Sequence, residues 1–189
     1  MNEAHRQFFH IALGLFFMLL LFSYGREASI LLLFCATLFA LMVIHLRTLR
    51  VPIPVLDWFF SHFERRGASA DGSGALWYLC GMLLLCTFLQ NVQHISASFF
   101  ILSVGDGAST LAGKYFGAHP LPFNKKKSLE GTFAFALSCI PIFFLWGAAA
   151  FAISIACAAV ESLPLEKRKI KIDDNLSIAL TSLLLFSLI

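Results

Sequence analysis

The sequence predicts an all-helical, polytopic transmembrane bundle. Three observations carry this: 59% of the 189 residues are hydrophobic, only 13% are charged, and the apolar residues fall in long runs. A soluble domain carries roughly 25% charged residues. At about half that density, polar side chains could not cover the surface of a globule. With 21 Phe and a mean hydropathy of +0.81, the chain suits lipid as its solvent. The length fits one domain, read as 1–189.

Crossing the hydrocarbon takes about 20 mostly apolar residues. The first run covers 8–24, and Ser23-Tyr24-Gly25-Arg26-Glu27 behind it is no small-x-small cleavage site, so it is expected to be a retained span rather than a signal peptide. Further spans are expected over 28–46, 75–89 and 95–113, the last of these containing Asp106. Residues 132–160 are too long for one ordinary crossing, and 176–189 closes the chain with a short apolar run.

Charge placement decides how 132–160 is read. Cytoplasmic loops are enriched in Lys and Arg. A hairpin of two short helices turning near Trp146-Gly147 gives seven spans and puts every one of the 14 basic residues except Arg26 on one side. A single span would move Lys167, Arg168, Lys169 and Lys171 to the other side. The expected topology is therefore about seven helices, N-terminus inside and C-terminus outside. All of the 11 acidic residues except Glu27 share the cytoplasmic side. Chemistry confined to one face suits an enzyme with a cytosolic cosubstrate better than a pore.

The five cysteines (Cys35, Cys80, Cys86, Cys139, Cys157) sit in apolar runs with no CxxC or Cys/His spacing. They are expected to be buried thiols, neither disulfide-bonded nor zinc-bound. Three polar connections remain. Residues 47–74 hold an expected interfacial segment anchored by Trp58 and then Arg65-Arg66; the others are 114–131 and 161–175.

Asp106, in Val104-Gly105-Asp106-Gly107-Ala108-Ser109, is the sharpest chemical signal. A carboxylate at that depth is costly unless paired, wet or metal-bound. Gly105 and Gly107 would let backbone approach a ligand. The competing reading is a structural ion pair. Gly107 to Lys114 is no Walker A loop, because five residues separate Gly107 from Gly113 and Tyr115 follows Lys114. Lys125-Lys126-Lys127-Ser128 suits a polyphosphate or serves as a positive-inside anchor. Asp173-Asp174-Asn175 is a helix N-cap or a magnesium-binding cluster. Glu130 and Glu161 add carboxylates at membrane level. Arg6 and His10, about one turn apart, are placed to face the same cleft. Several carboxylates and cations on one surface are the ingredients of metal-assisted phosphoryl transfer.

Gly105-Asp106-x-Ala108-x-x-x-x-Gly113-Lys114-x-x-Gly117, followed by Lys127-Ser128-Leu129-Glu130-Gly131-Thr132, closely resembles the dolichol kinase, phytol kinase and CTP-dependent diacylglycerol kinase family. Glu3-x-x-Arg6-x-x-x-His10-x-x-x-Gly14 is similar to its opening motif, and Glu161 with Asp173-Asp174-Asn175-Leu176 to its closing one. Gln7 departs from the family's usual Lys. The resemblance implies CTP as phosphate donor, a divalent cation such as Mg2+, and a prenol, phytol-like alcohol or diacylglycerol as acceptor.

On that reading Asp106, Asp173 and Asp174 hold magnesium or position the lipid hydroxyl. Lys114 and Lys127 neutralise the transferred phosphoryl group, and Arg6, Gly105, Gly107 and Ser128 contact the nucleotide. Glu130 and Glu161 are further metal ligands. Membrane lipids are expected partners and nucleic acid is not. A CTP-dependent phosphatidate cytidylyltransferase is the enzymatic alternative, and a lipid-binding or transport protein without catalysis is the other.

Overall fold

The computed structural model describes residues 3–51, 54, 73–164, 166–167, 170–171 and 173–189. Helix α1 covers Glu3–Thr48 and is interrupted at Gly25, whose φ of 80° glycine alone adopts readily. After α2 (Ser73–Phe88) comes α3 (Val92–Phe100), which runs through a π-helical turn at Ile101–Gly105 into α4 (Asp106–Phe116). Then follow α5 (Leu129–Ser138) and α6 (Ile140–Ser162), the latter interrupted at Gly147 with φ 88°. Two-residue strands β1 (Glu166–Lys167) and β2 (Ile170–Lys171) pair antiparallel ahead of α7 (Asp174–Phe186). Apart from that small hairpin the described fold is helical. The Trp58 segment and the Arg65-Arg66 pair lie outside the described residues.

Among the described residues, three helices are long and apolar enough to cross a membrane: Glu3–Thr48, Val92–Phe116 and Ile140–Ser162. Ser73–Phe88 and Asp174–Phe186 are apolar but shorter. This differs from the seven spans expected from charge placement. A helix of 10 to 16 residues rises only about 15–24 Å, less than the roughly 30 Å hydrocarbon core. Two of the three long helices also carry a glycine interruption.

Val92–Phe116 is the axis of the bundle. Its most apolar stretch is 67% buried, against 22% for α1 and 33% for α6. Ile95, Phe99, Ile101 and Leu102 are fully buried on it, packed among Leu33, Met82, Leu85, Phe135, Ile142 and Ile178 from the surrounding helices. The rim is apolar too: Phe8, Phe16, Leu19, Phe22, Phe144 and Leu184 point outward. Small hydroxyls sit inside instead. Ser98 and Ser182 share a 2.6 Å hydrogen bond, and Trp146 Nε1 donates to Ser96 Oγ at 2.8 Å. An apolar rim around a hydrogen-bonded interior is how helices pack in lipid. Cys86, Cys139 and Cys157 are buried as expected; Cys35 is exposed on the apolar rim and Cys80 is partly so.

Cross-contacts set the direction of each helix. His10 meets Tyr78 at the start of α2, and Arg26 meets the carbonyls of Cys86, Thr87 and Leu89 at its end, so the first half of α1 and α2 run the same way. Helix α7 runs opposite to the axis: Asp174 lies near Lys127 at one end, while Ser182 and Phe186 meet Ser98 and His94 at the other. The α6 segment after Gly147 instead runs with the axis, from Trp146 beside Ser96 to Glu161 beside Ser109. One end of the bundle thus gathers Arg6, His10, Asp106, Lys127, Glu161, Asp173 and Asp174.

Candidate functional site

The site is built from four chain segments that meet around the start of α4. Asp106 is 7% exposed and begins that helix, directly after the π-helical turn. Ser109 lies on the same helix face, one turn along, and its hydroxyl donates to Glu161 Oε1 at 3.1 Å. Glu161 is 1% exposed at the end of α6. From the loop before α5, Lys127 reaches in and donates to Glu161 and, at 2.8 Å, to Asp174 Oδ2 on the first turn of α7.

Lys127 is therefore the hub. Burial alone would lower its affinity for a proton, but the carboxylates of Glu161, Asp174 and Asp106 outweigh that and hold its pKa above the ordinary lysine value. Asp106 in turn lies in the electrostatic field of Lys127, Asp174, Arg6 and Asp173. These charges form one interacting group rather than isolated pairs.

The remaining predicted residues divide between this group and the scaffold around it. Arg6 donates to Glu3 through Nε at 2.8 Å and stays partly exposed at the mouth. Gln7, which replaces the family's usual Lys, is buried and donates to the same Glu3 oxygen at 3.3 Å. Asp173 is the N-cap of α7, its carboxylate accepting from Asn175 N at 3.0 Å and Asn175 Nδ2 at 2.9 Å. Asp173 thus takes the cap role read from the sequence, and Asp174 is ion-paired with Lys127. Ser128 is also a cap: it is buried, begins α5 and accepts from Gly131 N at 3.2 Å.

Gly105 and Gly107 pack against protein. A Cβ on Gly105 would sit 2.7 Å from the Phe135 ring, and one on Gly107 2.8 Å from Ile11. They allow close helix packing around Asp106. Lys114 lies eight residues beyond Asp106, about 12 Å along the helix axis. It is exposed, with its ammonium 5.8 Å from the Tyr115 ring. Glu130 turns toward His119, accepting from its backbone N at 3.1 Å and meeting ring Nδ1 at 2.6 Å. The His119 hydrogen bond pulls the Glu130 carboxyl down to about 2. Neither Lys114 nor Glu130 is bonded to the Lys127 group.

Two participants were less visible in sequence. Ser109 is signalled only by falling one turn after Asp106. His10 was read with Arg6; its Nε2 bonds to the Leu102 carbonyl at 3.2 Å and lies 3.7 Å from Asp106 Oδ2.

Among the described residues, no three His, Cys, Asp or Glu side chains converge closely enough to cage a metal ion. Magnesium seldom uses such a cage; one or two carboxylates and the substrate's phosphates commonly hold it. Asp106 and Glu161 meet that smaller demand. Both are buried oxygen donors joined through the Ser109 turn, and Glu161 Oε2 has no hydrogen-bond partner in the structure.

Several known proteins match the chain over most of its length. The chain is 31% identical over 204 residues to a chloroplastic farnesol kinase of Arabidopsis thaliana, covering 95% of this chain and 63% of that protein. It is 30% identical over 211 residues to a Glycine max protein named probable phytol kinase 3, chloroplastic, covering 100% of this chain and 63% of the relative. A rice protein named probable phytol kinase 2, chloroplastic, is 27% identical, with 100% and 66% covered. By sequence, the chain is similar to proteins named farnesol kinase and phytol kinase. It spans just under two thirds of the length of these relatives. No protein-family model matches it, and no solved structure does.

Proposed function

We propose that this protein is a membrane-embedded lipid-alcohol kinase that transfers the γ-phosphate of CTP to a polyprenol, a phytol-like alcohol or diacylglycerol. One observation carries the proposal: Asp106, Lys127, Glu161 and Asp174 form a single charged group at one end of an apolar bundle, in a chain related to proteins named farnesol and phytol kinase. An acceptor with an apolar tail and one hydroxyl fits that place. Its tail would lie along the Phe-rich rim while the hydroxyl meets the nucleotide at the polar end.

In the reaction the lipid oxygen bonds to the γ-phosphorus, the bond to the β-phosphate oxygen breaks, and CDP leaves. A carboxylate of the charged group takes the hydroxyl proton. Lys127 would exchange its carboxylate partners for phosphate oxygens, opposing the negative charge of the transferred group. Arg6, at the mouth, is placed to meet the same polyphosphate. Asp106 and Glu161 would hold Mg2+, which would supply positive charge to offset that of the phosphates. Lys114 and Glu130 lie farther out and would act on the nucleotide only from the rim.

We read the topology as about seven spans, N-terminus inside, with the active face cytoplasmic. The interruptions at Gly25 and Gly147 support this, because each falls where the charge pattern calls for a turn on the far side. The CTP preference rests on the motif resemblance.

The test is direct. Purified protein in detergent receives γ-labelled CTP, magnesium and a panel of prenols, phytol and diacylglycerol. Label entering a lipid, and absent with Asp106→Ala, supports the kinase and names the acceptor. Pyrophosphate released on adding phosphatidic acid would replace it with a cytidylyltransferase. Silence in both assays, with the protein folded, would leave a non-catalytic lipid-binding protein.

A further inference from the structure

The axis helix is not regular where it approaches Asp106. Residues Ile101–Gly105 form a π-helical turn, and the N–H of Asp106 bonds to the carbonyl of Ser103. In an unbroken α-helix that N–H would bond to Leu102. Here the Leu102 carbonyl receives His10 Nε2 instead, at 3.2 Å. A carbonyl only accepts, so Nε2 carries the proton. The same nitrogen lies 3.7 Å from Asp106 Oδ2.

The imidazole is itself fixed from behind. Its ring packs against that of Tyr78 at a centroid distance of 4.1 Å, tilted by 45°. The Tyr78 hydroxyl reaches the His10 carbonyl at 3.2 Å and Ser103 Oγ at 2.7 Å, and Ser103 donates to the Phe99 carbonyl at 2.7 Å. Gly14 makes the approach possible, since a Cβ there would overlap Ser103 and Tyr78. Three segments far apart in sequence thus converge on one irregular turn. Such π-helical turns are frequent at functional sites.

We infer that His10 is a positioning residue: through its Nε2–H bond to the Leu102 carbonyl it holds the π-helical turn open and thereby sets the direction in which Asp106 presents its carboxylate. The inference rests on the kinase reading only for its effect on turnover. The structural part stands on the apo protein.

Two substitutions separate the hydrogen bond from simple packing. His10→Phe keeps a ring against Tyr78 but removes the N–H, while His10→Gln keeps an N–H at similar reach and removes the ring. If His10 positions the turn, backbone hydrogen exchange in the 102–107 stretch of the apo protein rises in His10→Phe and stays near wild type in His10→Gln. On the same preparations kcat falls about 10- to 100-fold in His10→Phe, the usual cost of losing an outer partner of a ligand. It recovers in His10→Gln, with KM for the lipid unchanged in both. The opposite ranking, with His10→Phe like wild type and His10→Gln disturbed, would show that His10 is only packing and overturn the inference. Equal exchange in all three proteins would overturn it as well. A wild-type protein that phosphorylates no lipid alcohol would sink the kinase reading and leave the exchange result to decide the role of His10.

Discussion

The two ends of the bundle satisfy a cation in opposite ways. At one end Arg26 is bound mainly by backbone, beside an exposed ion pair to Glu27 at 2.9 Å: its guanidinium donates to the carbonyls of Cys86 at 2.8 Å, Leu89 at 3.0 Å and Thr87 at 2.8 Å, where α2 leaves its last carbonyls without helical partners. At the other end Lys127 is shared between the carboxylates of Glu161 and Asp174. Carbonyls at a helix end are fixed, and nothing that diffuses in can replace them without unravelling the helix. Carboxylate side chains can turn toward a metal ion and release their lysine to a phosphate. The first arrangement joins two helices. The second is a charge group ready to exchange partners.

That contrast predicts different consequences for removing each cation. Lys127→Met should have the largest effect, lowering phosphate transfer on the order of 10³-fold because the transferred group loses its opposing charge. It should also cost about 3 kcal/mol of stability by leaving Glu161 buried and unpaired. Arg26→Met should reverse the pattern. Losing several charged hydrogen bonds to carbonyls lowers stability by about 2 kcal/mol, while kcat in the surviving folded fraction stays at the wild-type value. Steady-state kinetics and thermal unfolding in the same detergent check both; equal loss of kcat in the two variants would erase the distinction.

Asp173 and Asp174 sharpen it within two adjacent residues. Asp173→Ala removes an N-cap and should cost about 1 kcal/mol in unfolding measurements. Asp174→Ala removes a Lys127 partner and should act mainly on nucleotide KM, read in the labelled-CTP assay.

The smallest effect is expected at Glu130, outside the charged group. Its pKa is lowered from 4.5 to about 2 in the folded protein. The stabilisation it draws from His119 is therefore present above the unfolded value and lost as pH falls toward about 2. The unfolding midpoints of wild type and Glu130→Gln should differ slightly at pH 7 and converge in acid. Lys127 has the opposite sign: its raised pKa keeps its ion pairs intact below the ordinary lysine value, with loss only in strong alkali.

How much of this was legible in the sequence differs from residue to residue. Asp106 was, since a lone carboxylate in an apolar run has few explanations. The gathering of Glu161, Asp174 and Lys127 at one end followed from charge segregation alone. What could not be read was rank within the basic residues. Lys114 and Lys127 look equivalent in a motif, yet one is exposed in the last turn of α4 and the other bridges α6 and α7. Gly105 and Gly107 suggested an opening for a ligand, but Phe135 and Ile11 fill those faces. Helix length alone gives three candidate spans among the described residues, whereas the seven-span reading rests on loop charge, a separate quantity.

The sequence by itself determined that these segments are apolar helices and at which end their polar residues lie. Burial depends on how much apolar surface each segment carries, and charge avoids the hydrocarbon whatever its partner. Only the tertiary structure decided which side chains meet. That choice depends on the rotation of each helix about its own axis, set here by close packing such as Gly105 on Phe135 and Gly14 on Ser103. His10 and Leu102 stand 92 positions apart, and Lys127 and Asp174 stand 47 apart. No local pattern encodes those separations, because each is fixed by helices that touch only after the whole bundle has packed.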